Sequence, residues 1–190
     1  MSPFEFVTVL ISIILGLGIT QIMSGVADLI HQWEKAKLYW PHMLWVILVF
    51  VLHVQQWWLT YELRVITSWR LPFFLFEVLY PINLFILARI LFPATGEETA
   101  YNLKTYYFQN YRKFFTMVII LSALSALENI FIYSLGIEGW SVNVIILLGL
   151  WIVAAKDIRT EWLHQLIAVA LLLFMIAGIL LHIDEWKISA

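Results

Sequence analysis

Six apolar stretches, each near the roughly 20 residues an α-helix needs to cross a bilayer, follow one another along the chain. They run over about 4–30, 41–64, 71–92, 114–135, 140–155 and 161–182, the fifth being the shortest. A helix satisfies its own backbone hydrogen bonds in lipid, where an open sheet edge does not. The pattern predicts an all-α integral membrane protein. A single transmembrane domain over residues 1–190 would hold six helices in one bundle. Pro3, Pro41, Pro72 and Pro93 fall at span ends, where a missing N–H costs little. Only Pro81 lies inside a span.

Composition narrows the alternatives. Hydrophobic residues make up 63% of the chain and charged residues 13%, against about a quarter charged in a soluble domain. Too few charges remain to clothe a water-soluble surface, and disorder needs the opposite balance. Eleven basic and 13 acidic residues give a net charge of −2, so nucleic acid is not an expected partner. With no cysteine, disulfides, thiolate metal sites and cysteine nucleophiles are excluded. No Gly-rich phosphate loop, nucleophile elbow or His-Glu-x-x-His motif occurs. No catalytic residue, metal or cofactor is expected, and the lipid bilayer is the first partner.

Loop charges predict an orientation. Lys35, Lys37, Lys104, Arg112, Lys113, Lys156 and Arg159 fall on one side, and Arg64, Arg70 and Lys187 on the other. The positive-inside rule then places both termini outside the cytoplasm, as in a bacterial inner (plasma) membrane protein. Trp33, Trp40, Trp45 and Trp162 near one interface, and Trp57, Trp58, Trp69, Trp140 and Trp186 towards the other, read as aromatic belts. A signal-peptide reading of the first span is disfavoured, since no basic residue precedes it and it is too long.

The third loop is long. Thr95 and Glu98 fit a capping box. Ala100, Leu103, Tyr107, Tyr111 and Phe114 recur at helical spacing. The segment 96–113 is therefore expected to be an amphipathic helix that lies on the cytoplasmic membrane surface before the fourth span and runs into it.

In the first span, Thr8, Ser12, Gly16, Thr20 and Ser24 recur every fourth residue, with Asp28 continuing the series. Small residues let helix backbones approach closely. This stripe is read as a packing face, within the chain first, and otherwise against a second copy or a partner membrane protein.

Ionisable residues inside spans are costly and point to function. Glu77 lies about 9 Å inside the third span and Glu128 about 10 Å inside the fourth, at 1.5 Å per residue, both measured from the outer side. Glu5 and Glu62 lie above them, and His53 and Gln56 lie in the second span. Pro81 cannot donate to the carbonyl of Glu77. Three readings of this acidic layer stay open. Hydrogen-bonded glutamates tie the bundle together, or the layer conducts or transports a cation or proton, or it forms a metal or catalytic site. The corresponding functions are a small ion- or proton-conducting protein, a homo-oligomer among the options, with Glu77, Glu128, Glu62, Glu5, His53 and Gln56 on its path; a non-catalytic partner or sensor subunit acting through helix association; and a membrane enzyme or haem/metal-binding protein. For haem, His42 and His164 are the facing-helix candidates near the inner interface, where water is expected to reach both.

Overall fold

The computed structural model describes residues 2–93, 102–131 and 137–181. Six helices follow in order: α1 (Pro3–His31), α2 (Trp40–Leu59), α3 (Leu71–Ile90), α4 (Leu103–Phe131), α5 (Ile137–Ala155) and α6 (Glu161–Leu181). No strand occurs among the described residues, where Lys37 and Asn102 form an isolated parallel bridge. Among the described residues five helical segments are long and apolar enough to cross a membrane: Pro3–His31, Trp40–Val65, Leu71–Ile90, Leu103–Ile130 and Glu161–Leu181. Trp140–Ala155 is the shorter apolar piece, as the length of the fifth stretch implied.

Local chemistry explains several boundaries. Ser2 and Glu5 close a capping box on α1, with Ser2 Oγ accepting from the Glu5 N–H at 3.2 Å and Glu5 Oε2 accepting from the Ser2 N–H at 2.8 Å. Pro3, Pro41 and Pro72 each sit in a first turn, where no N–H is needed. Thr60–Val65 continues α2 as a tighter 3-10 turn. Asn102 Oδ1 accepts from the Thr105 N–H at 3.2 Å and caps α4. At the end of α5, Ile158 N–H reaches the Val153 carbonyl at 3.1 Å and Asp157 N–H the Ala154 carbonyl at 3.4 Å. This is a Schellman closure. Asp157 takes its left-handed position at φ 47°, which glycine usually occupies.

The expected surface helix does continue into the fourth apolar stretch, but its exposure is corrected. From Leu103 onward the segment is the first part of α4 and runs unbroken into the fourth span. Residues 94–101, with Thr95, Glu98 and Ala100, lie outside the described residues. The face meant for the membrane surface is packed inside the protein: Leu103, Tyr107 and Phe114 are fully buried and Tyr111 nearly so. At 1.5 Å per residue this 29-residue helix is about 44 Å long. That exceeds the ~30 Å hydrocarbon core, so one end projects beyond it if α4 spans.

The helices build outward from α2, which touches α1, α3, α4 and α6. Helix α3 also packs on α1 and α4. Among the described residues, α5 makes close backbone contact with α4 alone and α6 with α2 alone. Connections one, three and five meet at one end. Leu103 N–H donates to the Lys37 carbonyl at 3.1 Å, Lys104 Nζ meets Glu161 Oε2 at 2.7 Å, and the Tyr111 hydroxyl donates to Asp157 Oδ1 at 2.6 Å. This end carries the larger group of basic residues.

Candidate functional site

Glu77 of α3 and Glu128 of α4 lie within electrostatic reach of one another. Glu77 is 5% exposed, and its Oε1 has no hydrogen-bond partner. Glu128 is half-buried and close enough to feel the charge of Glu77. Tyr80, one turn after Glu77, lies within electrostatic reach of Glu128. Helix α3 continues through Pro81, which has no N–H for the Glu77 carbonyl. Below them Asn83 Nδ2 donates to the Met117 carbonyl at 2.8 Å and ties α3 to α4. Ser122 is buried on α4, and Asn143 of α5 reaches Ser125 Oγ at 3.4 Å. The unpartnered carboxylate oxygen matters most, because leaving a charge both buried and unpaired costs several kcal/mol. A shared proton or a bound cation would remove that cost.

The other expected site residues have local duties. Glu5 belongs to the α1 capping box. Glu62 is exposed and pairs with Arg64 at 3.3 Å. The Gln56 side chain is half-buried, and its backbone carbonyl accepts from the Thr60 hydroxyl at 2.8 Å. His53 is fully buried. Its Nδ1–H donates to the Val49 carbonyl at 2.7 Å, and Nε2 has no hydrogen-bond partner. The ring lies against Gly18 of α1, where a Cβ would strike it. His182, Trp186 and Lys187 lie outside the described residues.

The stripe on α1 does not face the chain's own core. Thr8 and Ser12 are half-buried, while Gly16, Thr20, Ser24 and Asp28 are exposed. The inward face is Val7, Ile11, Leu15, Gly18, Ile22, Gly25 and Leu29. The Thr20 hydroxyl donates to the Gly16 carbonyl at 2.8 Å, so α1 satisfies that hydroxyl itself. Intrachain packing of Gly16, Thr20 and Ser24 is therefore corrected: the small glycines that admit neighbours are Gly18 and Gly25.

At the basic end, sequence reasoning missed a second buried centre. His42 and His164 are both fully buried, contrary to the expected contact with water. The Tyr107 ring packs on both, with centroids 6.0 Å from His42 and 5.5 Å from His164. The Tyr107 hydroxyl lies 3.0 Å from His164 Nδ1, and His164 Nε2 lies 2.8 Å from the Ile158 carbonyl. A carbonyl only accepts, so Nε2 carries the proton and Nδ1 accepts from Tyr107. His42 has no well-formed hydrogen bond on either nitrogen, and the Leu91 backbone is its polar neighbour. Trp45, expected in an interfacial belt, is buried 5.6 Å from Phe115. The available signal was the i, i+4, i+8 series Tyr107, Tyr111, Phe115, whose three rings all touch His164.

This geometry does not fit a haem held by His42 and His164. Both nitrogens of His164 are engaged and Tyr107 packs against both rings. Among the described residues no group of three or more His, Cys, Asp or Glu side chains gathers to hold a metal ion. Compared with models of protein families, with curated proteins and with solved structures, the chain matches none.

Outside the helices, Asp157 has a shifted carboxyl. The Tyr111 hydroxyl, then the Arg159 guanidinium, hold it below the usual carboxylate range.

Proposed function

We propose that the chain is an integral membrane protein that binds and passes a proton or a small monovalent cation, with Glu77 and Glu128 as the exchanging acids. One observation carries the reading: Glu77 is buried with an unpartnered carboxylate oxygen, within electrostatic reach of a glutamate on another helix. Two carboxyls within electrostatic reach resist ionising together, which favours a proton or a cation at one of them. A divalent ion is disfavoured, since calcium takes six to eight oxygens and magnesium near-ideal octahedral geometry. Tyr80 adds a hydroxyl near Glu128. The proposed setting is a bacterial inner membrane, with the basic end in the cytoplasm and both termini outside.

The test is proton flux into liposomes holding the full chain, driven by an imposed potential. Flux should fall to the lipid background in the Glu77→Gln, Glu128→Gln double variant. Undiminished flux in that variant, correctly folded by circular dichroism, would overturn the reading.

A second reading rests on its own observation, the exposed Gly16, Thr20, Ser24 and Asp28 on α1. Polar groups on a lipid-facing surface favour cover by another helix. The chain would then act as a partner subunit or a homo-oligomer through α1. Light scattering of the purified protein, before and after Gly16→Leu, tests it: an unchanged mass excludes the homo-oligomer.

A further inference from the structure

Helices α4 and α5 frame a groove of about 310 Å³ lined by Arg112, Thr116, Ile119, Trp151, Ala154 and Ala155. Its composition is graded along α4. Arg112 stands nearest the basic end, Thr116 one turn further along and Ile119 beyond. Ala154 and Ala155 make the hollow because they are small, and exposed Trp151 forms a wall.

The cation at the top of this groove is not consumed by the chain. Asp157 is the acid that feels Arg112. Its hydrogen-bond donors are Tyr111, at 2.6 Å from Oδ1, and Arg159, at 3.1 Å from Oδ2, and not Arg112. Among the described residues Arg112 makes no salt bridge, and the Thr116 hydroxyl is turned back to the Arg112 carbonyl at 2.7 Å. The guanidinium is thus left with its fork of donors above an apolar slot. Lys156 follows directly after Ala155 and adds positive charge at the same end.

We infer that this groove binds an anionic phospholipid of the leaflet at the basic end, with its phosphate on Arg112 and an acyl chain along Ile119, Trp151 and Ala154. The guanidinium matches a phosphate through paired hydrogen bonds, and basic pockets between membrane helices favour anionic headgroups. The site rests on the membrane placement proposed above and is independent of proton handling at Glu77 and Glu128.

The test measures lipid retained by the full chain in native mass spectrometry, after mixing with phosphatidylglycerol or phosphatidylcholine. Phosphatidylglycerol should be preferred, and Arg112→Gln should weaken that preference about fivefold, the weight of one basic residue at an anionic surface. Ala155→Leu, at the exposed lip, should displace the lipid with the charge intact. Lys113→Gln, whose Nζ instead donates to Asn110 Oδ1 at 2.8 Å, should leave retention unchanged. Equal retention of the two lipids, full retention in Ala155→Leu, or equal losses in Lys113→Gln and Arg112→Gln would each overturn the assignment. So would competition by inorganic phosphate alone, which would mark a free-anion site. Liposome flux reports separately on the acidic pair.

Discussion

The Tyr107 hydroxyl and His164 Nδ1, 3.0 Å apart, join α4 to α6, two helices that share no close backbone approach among the described residues. The ring of Tyr107 spans the gap. The His164 Nε2–H is held in turn by the Ile158 carbonyl at 2.8 Å, in the turn that follows α5. One imidazole therefore ties three helices at the basic end.

Breaking that tie should destabilise the protein without unfolding it. Tyr107→Phe keeps the ring and removes the hydroxyl, leaving His164 Nδ1 buried without its donor. The expected cost is about 1–3 kcal/mol. His164→Phe removes the other partner. A double-mutant cycle in the thermal or denaturant unfolding of the detergent-solubilised chain should give a coupling above about 0.5 kcal/mol. Strict additivity would mean that the contact contributes nothing.

The glycines of α1 should differ sharply in tolerance. A Cβ at Gly18 strikes the His53 ring, and one at Gly25 strikes the Phe92 ring. His53 has little room to yield, being buried and bonded to Val49 at 2.7 Å. Alanine at either position should cost about 1–3 kcal/mol through overpacking. A Cβ at Gly16 meets nothing within 4 Å, so Gly16→Ala should change unfolding by less than about 0.5 kcal/mol. Equal effects at Gly16 and Gly18 would refute the assignment of the inward face.

Asn83 links α3 to α4 at the level below the acids, donating to the Met117 carbonyl at 2.8 Å. Asn83→Leu should cost on the order of 0.6–1.7 kcal/mol, the range for polar contacts between membrane helices. It should also loosen the spacing of Glu77 and Glu128. Crosslinking of cysteines placed at exposed Leu79 and Leu127 would report any change as an altered rate.

The turn at Asp157 should make stability depend on acid pH. Its carboxyl is held below the usual range by Tyr111 and Arg159. A depressed folded-state value means that its contribution is fully present above the unfolded value, near 3.9. The contribution is lost as pH falls through the folded value. Melting temperature should therefore drop below about pH 4 and drop less in Asp157→Asn. Asparagine tolerates the left-handed backbone that Asp157 adopts at φ 47°, so the turn itself should survive. Identical pH profiles for the two proteins would contradict the role of this carboxylate.

The residues differ in how readable they were. The burial of Glu77 was legible because helical rise converts sequence position into distance from a span end. The capping box of Ser2 and Glu5 gives the latter a local use, and Arg64 two residues away does the same for Glu62. Depth alone does not exclude such short-range partners. His42 and His164 illustrate the reverse. Their positions near span ends suggested water, yet the extra turns of α4 bring Tyr107, Tyr111 and Phe115 over them.

The apolar helices, their order and the gathering of basic residues at one end followed from the chain because hydropathy, proline positions and loop charge are local properties. Which face of each helix turns inward did not. In water the apolar face of a helix is its buried face, but a helix apolar on every side, as one that crosses lipid must be, carries no such signal. The small-residue stripe at Gly16, Thr20 and Ser24 was for that reason assigned inward, while Val7, Ile11, Leu15 and Ile22 fill the interior. Contacts of α1 with α2 and with the turn after α3 made that choice, through the fit of His53 to Gly18 and Phe92 to Gly25. Steric fit depends on which residues meet across helices, and only folding brings those residues together.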